Sequence, residues 1–330
     1  MLQRTIPGTD LSVSVVGFGC WASGGLWWGD DVDDGDSKRA IVQALDLGIN
    51  LFDTAPLYGH GHADRVLVEA LGARRHEAII ATKVGVRWDG EGAHARSDLS
   101  AAWLREDTEA SLQRLGVERI DLLQVHWPCQ AGTPLEETMA TLHALRSEGK
   151  IRTIGLSNYN AGGMREAASH GNIDILQTPY SILRREFEHE LAPLCADFPS
   201  RPADDGSTGA ARPLGVLAYE PLCRGMLTGK YGPRVNFPES DLRARDERFT
   251  GPRYLRALTI ISRLGLLARR LDVPVAAIAI AWVLRNPVVT SALVGAKRAD
   301  QVIANVRAAE LLEREDIWPE VDRIVAAWRG

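Results

Sequence analysis

Four ionisable side chains of different types lie at or near the ends of three short apolar segments. Asp53 ends the first segment and Tyr58 follows it five residues later, while Lys83 ends the second segment and His126 ends the third. The segments are short and rich in β-branched and aliphatic residues, which is typical of buried strands. The sequence therefore predicts a carboxylate, a phenol, an ammonium group and an imidazole at successive strand ends.

These four groups together are suited to giving a proton to a carbonyl oxygen. A free phenol has a pKa near 10, so it is a weak proton donor at neutral pH unless a cation favours its ionised form. Lys83 supplies that cation, Asp53 keeps the lysine protonated and oriented, and His126 hydrogen-bonds the substrate carbonyl. Each residue alone also has an ordinary structural interpretation, as a turn residue, a rim aromatic, a solvated strand end or a satisfied core imidazole.

The sequence around these residues resembles the aldo-keto reductase family. Residues 52–59, with the sequence FDTAPLYG, resemble the family's signature around its acid and its proton-donating tyrosine, and Lys83 and His126 stand where the family has its lysine and histidine. The resemblance implies direct hydride transfer from a nicotinamide cofactor to a carbonyl carbon, with Tyr58 as proton donor and no metal. It continues through residues 16–21, 155–158, 177–181, 218–222, 227–231 and 295–305.

Length and composition are those of an ordinary globular protein with a large core. Of the 330 residues, 45% are hydrophobic and 25% are charged. Length alone favours two domains, but α/β barrels of this size are often one unit, so we expect a single domain spanning residues 1–330. The 38 basic and 43 acidic residues give a net charge of −5, so nothing favours a nucleic-acid or membrane partner.

The cysteine pattern and the apolar segments favour a cytoplasmic protein. The four cysteines contain no CxxC pair, which predicts neither a zinc site nor a disulfide framework. Residues 1–11 lack an apolar signal segment, and the longest apolar run, residues 273–284, is too short to span a bilayer and indicates a buried helix. We expect reduced thiols at Cys20, Cys129, Cys195 and Cys223.

Short strand-like segments alternate with helical periodicity, a pattern that indicates βα units and a parallel sheet. Eight strands are predicted, at residues 15–18, 50–53, 78–83, 120–126, 151–157, 175–179, 214–219 and 290–294. Helices are predicted at residues 37–47, 63–71, 99–115, 135–148, 163–170 and 186–196, with a longer pair within residues 255–284. Eight strands that are each followed by a helix predict a closed (β/α)8 TIM barrel.

In such a barrel the loops that follow strands build the active site. Residues 2–13, with Pro7 and Gly8 as the turn, are predicted to form a hairpin that closes the opposite end of the barrel. Residues 197–213 precede the seventh strand, so we expect a solvated excursion remote from the chemistry, with an assembly contact as the alternative. Residues 223–253 follow that strand, so they face the site and could close over an anionic ligand.

The nicotinamide end of a cofactor site is predicted from polar residues at strand ends. The segment GFG at residues 17–19 lacks the rest of a Rossmann fingerprint, so it gives no evidence for a nucleotide. Ser157, Asn158 and Gln177 end the fifth and sixth strands and offer donors and an acceptor that suit a carboxamide. Tyr219 ends the seventh strand and offers a flat face for the ring, although Asn158 could simply cap a helix and Tyr219 could belong to the core.

The adenosine end is predicted at the helix that follows the eighth strand. Backbone amides and the helix dipole attract phosphate there, and Lys297 with Arg298 suggests an extra phosphate on the ribose, unless this is only a solvated helix start. The resemblance implies NADP(H), with Gln301 and Asn305 reaching the adenine. The residues that it implies contact the cofactor are Gly19, Cys20, Trp21, Asp53, Ser157, Asn158, Gln177, Tyr219, Glu220, Pro221, Leu222, Arg224, Gly225, Lys230, Arg243, Gly295, Lys297, Gln301 and Asn305.

Two positions depart from the family pattern. Glu220 stands where the family usually has a small polar residue near the diphosphate, so it would repel that group unless its side chain turns to an arginine such as Arg224. Ala63 and Asp64 replace a common Ser-Glu pair after the tyrosine loop, a change that we expect to affect only the start of a helix.

Tryptophans on the loops that follow strands predict an aromatic-lined mouth, which favours aromatic or other bulky carbonyl substrates. These residues are Trp27, Trp28, Trp88 and Trp127. Two rival functions are a cofactor-binding, redox-sensing channel subunit with little turnover and a metal-dependent hydrolase. The complete set of four ionisable groups argues against the first, and the single histidine at a strand end argues against the second. We expect a monomer, with an oligomer as the alternative.

Overall fold

A closed barrel of eight parallel strands forms the centre of the molecule. The computed structural model describes residues 1–88, 90, 95–199 and 211–328. The strands in these ranges are β1 (Gln3–Thr5), β2 (Ser12–Ser14), β3 (Val16–Gly19), β4 (Leu51–Asp53), β5 (Ile79–Val84), β6 (Val86–Arg87), β7 (Arg96–Ser97), β8 (Ile120–Val125), β9 (Ile151–Ser157), β10 (Ile175–Pro179), β11 (Gly215–Tyr219) and β12 (Val289–Val294). The barrel closes in the order β10, β11, β12, β3, β4, β5, β8 and β9, and each neighbouring pair is parallel. The predicted (β/α)8 TIM barrel is confirmed.

Helices surround this barrel. They are α1 (Asp34–Asp46), α2 (His62–Leu71), α3 (Ala101–Leu115), α4 (Leu135–Ser147), α5 (Ala161–His170), α6 (Leu191–Ala196), α7 (Gly251–Leu271), α8 (Val275–Leu284), α9 (Ala299–Val306), α10 (Ala308–Leu311) and α11 (Trp318–Ala326). Every residue of α8 from Ala276 onward is buried, as its apolar sequence predicts. None of the helices in the described ranges combines the length and apolar character that a membrane crossing requires.

The predicted helix at residues 186–196 is wrong in part. The structure has a 3-10 turn at Glu186–Glu188, and α6 begins only at Leu191. Pro193 explains the break, because it has no N–H to bond the carbonyl four residues earlier and its ring crowds that carbonyl. The small antiparallel pair of β6 and β7, in the loop after β5, was not predicted.

The N-terminal hairpin closes one end of the barrel, as predicted. β1 pairs antiparallel with β2, and Gly8 turns the chain between them at a φ of 75°. Ile6 and Leu11 are buried and pack with interior side chains of the barrel strands, which include Leu51 and Leu122. Because this end is filled with apolar groups, polar side chains inside the barrel lie toward the other end.

The segment that precedes β11 has its described ends beside this hairpin. Phe198 and Arg212 pair through their backbone groups, and the Arg212 guanidinium donates to the carbonyl oxygen of Pro7 at 2.7 Å and to Asp174 at 3.1 Å. Residues 200–210, the middle of the predicted excursion, lie outside the described residues. The ends of the segment are therefore on the hairpin side of the barrel.

Candidate active site

A layer of polar side chains fills the barrel where its strands end. Asp53 ends β4, Lys83 lies near the end of β5, Gln124 lies in β8 and Gln177 lies in β10. All four side chains are buried. The register places Lys83 opposite Gln124 on neighbouring strands. The fold thus brings the acid and the lysine together with two amides.

Lys83 connects the acid to the phenol. Its Nζ donates to Asp53 Oδ2 at 2.6 Å, to the carbonyl oxygen of Thr54 at 3.1 Å and to the hydroxyl of Tyr58 at 3.0 Å. These three acceptors match the three hydrogens of an ammonium group. The Lys83 side chain is only 1% exposed, so the contacts replace the water that a free lysine would bind.

The loop between β4 and α2, which carries the candidate tyrosine, is anchored on two sides. A Cβ on Gly59 would lie 2.1 Å from the carbonyl oxygen of Gly24, and the φ of 63° at Gly59 also favours glycine. Thr54 donates to the buried Asp64 at 2.7 Å, and Arg114 donates to the same carboxylate at 3.1 Å. Asp64 was expected to affect only a helix start, but its contacts also support this loop.

Burial and charge set the protonation states of the lysine and the phenol. Burial alone would lower the pKa of Lys83, but Asp53 and Tyr58 outweigh it, so this pKa is raised and the lysine stays charged. Burial raises the pKa of Tyr58 to about 12, although Lys83 acts in the opposite direction. We expected the lysine charge to be the larger influence on the phenol, whereas desolvation is larger in the structure. The phenol is therefore protonated at neutral pH.

His126 lies edge-on to Tyr58, with ring centroids 5.9 Å apart, and packs against Trp127 at 4.9 Å. Burial, with a contribution from the charge of Lys83, holds the pKa of His126 well below its usual range. A neutral imidazole has one N–H donor, which suits a hydrogen bond to a carbonyl oxygen.

Asn158 and Tyr219 form a hydrogen-bonded pair beside this group. The Tyr219 hydroxyl donates to Asn158 Oδ1 at 2.8 Å, and Asn158 Nδ2 donates to the carbonyl oxygen of His126 at 2.9 Å and to Ser157 Oγ at 3.1 Å. Asn158 does not cap α5, because Asn160 takes that role. The network instead fixes the ring of Tyr219 at the end of β11.

A cavity of about 770 Å³ opens at the polar layer and continues to α9, a volume in the range of small-molecule sites. The predicted catalytic and substrate residues that line it are Asp53, Tyr58, Lys83, His126, Trp27, Trp28 and Trp127. The predicted cofactor residues that line it are Gly19, Trp21, Asp53, Ser157, Asn158, Gln177, Tyr219, Glu220, Pro221, Leu222, Arg224, Gly225, Lys230, Arg243, Gly295, Lys297, Gln301 and Asn305.

Two predicted contact residues are not among those that line the cavity. Cys20 is fully buried, and its backbone N–H donates to the carbonyl oxygen of Asp53 at 2.8 Å. Its neighbours Gly19 and Trp21 both line the cavity. Trp88 stacks on His60 instead, with ring centroids 4.9 Å apart.

Three cations concentrate positive charge in the half of the cavity near α9. Lys230, Arg243 and Lys297 all line this part. Burial, together with repulsion from Arg243, Lys297 and Arg298, lowers the pKa of Lys230. Because nearby cations destabilise the charged form of this partly buried lysine, an anionic ligand in the same space would be favoured.

Glu220 is neutralised by two arginines. Arg224 donates to its Oε1 at 2.7 Å and Arg248 donates to its Oε2 at 2.8 Å. Burial would raise the pKa of Glu220, but the two arginines hold it below its usual range. This is the arrangement that we expected to reconcile an acid with a diphosphate, with Arg248 as a partner that the sequence did not suggest. Glu220, Cys223 and Arg224 all have positive φ angles of 52°, 47° and 55°, so the loop after β11 is strained.

Lys297 is paired with an acid of the same chain. Its Nζ donates to Asp31 Oδ1 at 2.7 Å and to the carbonyl oxygen of Trp28 at 2.8 Å. Arg298 was expected to add a second cation for a ribose phosphate, but it pairs with Asp300 and is not among the residues that line the cavity. Its side chain is 54% exposed, although its charge still contributes to the lowered pKa of Lys230.

The donor set of the cavity fits a nicotinamide dinucleotide. Gln177 Nε2 donates to both Asp53 and Gln124, which leaves its Oε1 for the amine hydrogens of a carboxamide. The cations lie at the opposite end, where phosphates would be held. Gln301 and Asn305 line that end, although Gln301 Oε1 accepts from the backbone N–H of Lys297 at 2.8 Å.

The sequence did not single out Gln124 or Arg184, and both belong to this region. Gln124 stands two residues before His126 and two after the interior residue Leu122, so alternation would have placed its side chain on the interior side. Arg184 lines the cavity from the loop after β10, a position that no sequence pattern indicates.

The chain is similar to known proteins along nearly its whole length. A family model described as the aldo/keto reductase family matches residues 15–326. The NADH-specific methylglyoxal reductase of Escherichia coli is 35% identical over 92% of this chain and 92% of the relative. A probable voltage-gated potassium channel subunit beta of Arabidopsis thaliana is 30% identical over 94% of this chain and 92% of the relative.

Solved structures agree with this assignment. The glycerol dehydrogenase of Gluconobacter oxydans superposes with a TM-score of 0.84 at 35% identity, and the match covers 98% of this chain and 95% of that one. The chain therefore belongs to the aldo/keto reductase family of oxidoreductases, whose reaction is the reduction of carbonyl groups.

Proposed function

We propose that this protein reduces an aldehyde or a ketone to the alcohol with NADPH, and that Tyr58 is the proton donor. The observation that carries the proposal is the position of Lys83, which contacts both Asp53 and Tyr58 in the wall of a cavity whose other half is cationic. A buried, charged lysine beside a protonated phenol is arranged to stabilise the phenolate that proton donation leaves behind.

The residues of the chain divide the task along the cavity. Ser157, Asn158 and Gln177 would hold the carboxamide, and Tyr219 would stack on the ring. When bound, the nicotinamide cofactor supplies the hydride. Tyr58 holds a proton on its hydroxyl and gives it to the carbonyl oxygen of the substrate.

The remaining catalytic groups prepare that proton transfer. Lys83 donates a hydrogen bond to the phenol oxygen and stabilises its charge as the proton leaves. Asp53 keeps Lys83 charged and fixed. His126, neutral at physiological pH, donates its single N–H to the carbonyl oxygen and orients it.

The choice of NADPH over NADH is the finer part of the proposal and rests on Lys297. Lys230 and Arg243 would hold the diphosphate with either cofactor, whereas Lys297 would bind the additional phosphate of NADPH. Asp31 stands against this choice, because it already occupies the lysine and would lie beside the phosphate. The Escherichia coli relative is described as NADH-specific, so both cofactors belong in every test.

The substrate proposal rests on the aromatic mouth formed by Trp21, Trp27, Trp28 and Trp127. Flat apolar side chains around an opening favour aromatic or other bulky carbonyl compounds. The Escherichia coli relative is named for methylglyoxal, a small dicarbonyl, and this compound is the natural competitor in the comparison.

The decisive experiment measures oxidation of NADPH and of NADH against methylglyoxal and a panel of aliphatic, aromatic, sugar and keto-steroid carbonyls. We expect steady turnover with NADPH, with aromatic compounds giving the higher kcat/KM. Tight cofactor binding without turnover of any carbonyl would instead favour a cofactor-binding, redox-sensing regulatory subunit; the Arabidopsis relative, described as a probable potassium channel subunit beta, supports a channel-subunit role to that extent. A single domain, a monomeric state and a cytoplasmic location stay predictions from the sequence.

A further inference from the structure

We propose that Gln124 is a positioning residue that holds both Asp53 and Gln177 in the orientations that the reaction needs. The inference rests on the proposed function, since Gln177 acts on a cofactor only if a nicotinamide binds. Gln124 is fully buried in β8 between the apolar residues Leu123 and Val125, and it touches the candidate acid on one side and the candidate carboxamide ligand on the other.

The three side chains form a closed triangle of hydrogen bonds. Gln124 Nε2 donates to Asp53 Oδ1 at 3.1 Å, and Gln124 Oε1 accepts from Gln177 Nε2 at 3.0 Å. Gln177 Nε2 also donates to Asp53 Oδ1 at 2.7 Å. Because an ionised carboxylate can only accept hydrogen bonds, the Nε2 group of each glutamine must face Asp53. A flipped amide would break the triangle. The orientation of each residue therefore depends on the other two.

The triangle determines which carboxylate oxygen faces the lysine. Both amides donate to Oδ1 of Asp53, which leaves Oδ2 for Lys83 at 2.6 Å. The last torsion of an aspartate side chain has broad minima, so removal of one amide donor lets the carboxylate rotate. Rotation would loosen Lys83 and with it the phenol that Lys83 contacts.

The triangle also determines which face of Gln177 the cavity sees. With both Nε2 hydrogens used, Oε1 is the group left for a ligand, and it can accept from the amine of a carboxamide. The reversed amide would put an oxygen against the Asp53 carboxylate, which is unfavourable. Gln124 stabilises the binding-competent orientation, because it accepts the second hydrogen.

The neighbouring strand provides space for this amide. Gly155 lies opposite Gln124 in β9, and a Cβ on Gly155 would come within 2.7 Å of Gln124 Cγ. A glycine inside a strand weakens the strand and often marks a close approach, which here is that of the Gln124 side chain. Since a buried amide is costly unless it is hydrogen-bonded, the satisfied triangle accounts for a polar residue at this position.

Kinetics and cofactor binding of Gln124→Met test the inference, because methionine keeps the length of the side chain and removes both hydrogen-bonding groups. Thr153→Val is the matched control: in the adjacent strand β9 it removes the hydrogen bond from the buried Thr153 Oγ1 to the carbonyl oxygen of Asp121. We expect kcat to fall about tenfold or more in Gln124→Met and to stay within about twofold of wild type in the control.

Two further readouts separate positioning from simple support of the fold. Binding of the preferred cofactor, NADPH or NADH, should weaken several-fold in Gln124→Met. Binding of the matching fragment without nicotinamide, 2′-phospho-ADP-ribose or ADP-ribose, should not change. In the double variant with Asp53→Asn, the loss in kcat should be clearly less than the product of the two single losses, because both act through one carboxylate.

Independent, multiplying losses would overturn the inference, and so would equal weakening of cofactor and fragment. If Gln124→Met does not fold, Gly155→Ala tests the same contact by displacing the amide, and wild-type kinetics in a folded Gly155→Ala would overturn it. If the wild-type protein turns over and Gln124→Met matches it in kcat and cofactor binding, only the role of Gln124 is refuted. A wild-type protein that neither binds nor oxidises either cofactor refutes the proposed function, and this inference with it.

Discussion

The two ends of the cavity differ in how their lysines are partnered. At the end that carries Tyr58, Lys83 is 1% exposed and already donates to Asp53, to the carbonyl oxygen of Thr54 and to the phenol that we propose as proton donor. At the adenosine end Lys297 is 17% exposed and pairs with Asp31, whose side chain is 78% exposed. The first lysine can act without exchanging a partner, whereas the second must leave an acid before it binds a phosphate.

The comparison distinguishes a lysine that is already in place for the proposed chemistry, Lys83, from a lysine that would select between cofactors, Lys297. Buried, fixed donors stabilise developing charge without rearrangement, so the catalytic end is suited to the chemistry as it stands. Asp31 is largely exposed, so water can solvate its carboxylate when Lys297 turns to a ligand, and the loss of the pair costs little stability. Asp31 still leaves a negative charge near the ribose, which reduces the advantage of a cofactor that carries an extra phosphate there.

Loss of Lys83 should have the largest effect on turnover. Lys83→Met should lower kcat on the order of 100-fold or more, because it removes the cation that stabilises the phenolate. The loss should not multiply with that of Tyr58→Phe in the double variant, since the two residues act as one unit. Lys38→Met, which removes only a surface pair with Glu69, is the control. Multiplying losses would mean that the two residues act separately.

At the other end, Lys297→Ala should weaken NADPH binding about tenfold to a hundredfold and leave NADH binding almost unchanged, because only NADPH carries the phosphate that Lys297 would bind. Asp31→Asn should do the opposite and tighten NADPH binding a few-fold. Arg314→Ala, which removes only an exposed pair with Asp316 outside the cavity lining, is the control. Fluorescence titration with both cofactors decides the matter, and equal weakening of both in Lys297→Ala would remove the main support for NADPH.

A smaller effect is expected between the two ends, at the strained loop after β11. Arg248→Met leaves Glu220 with Arg224 as its only arginine partner among the described contacts, so the acid would repel a diphosphate more strongly. NADPH and NADH should both bind up to about tenfold more weakly, because the diphosphate is common to them. Arg245→Met is the neighbouring control. A change confined to NADPH would show that the loop instead acts on the ribose phosphate.

The smallest effect concerns pH. Because burial raises the pKa of Tyr58 to about 12, the phenol keeps its proton as pH rises through the neutral and mildly alkaline range. The pKa of His126 lies well below its usual range, so this group stays neutral there as well. Hence kcat for reduction should be nearly flat between about pH 7 and pH 10, the reference pKa of tyrosine. A loss of activity centred between these limits would show that the lysine charge, and not burial, controls the phenol.

Sequence was sufficient for the barrel and for the grouping of the catalytic side chains. Strand ends could be identified from short apolar runs, and parallel strands bring their carboxyl ends to one edge, so Asp53, Lys83 and His126 were predicted to meet. The break in the predicted helix at residues 186–196 could also have been predicted, because Pro193 stands inside it.

The features that the sequence did not predict depend on the paths of loops and on the balance of opposing effects on a pKa. The pairing of Asp31 with Lys297 joins residues far apart in the chain through the path of a loop. The partnership of Arg248 with Glu220 is of the same kind. The pKa of Tyr58 depends on whether desolvation or a nearby charge is larger, and residue types alone do not decide that.

The most direct test of the central claim compares turnover and cofactor binding in Tyr58→Phe. This variant removes the hydroxyl that Lys83 contacts and keeps the ring that packs against His126. We predict that kcat falls on the order of 100-fold or more while the Kd for NADPH, measured by fluorescence titration, stays within about twofold of wild type. Turnover comparable to wild type in a variant that binds NADPH normally would contradict the assignment of Tyr58 as the proton donor.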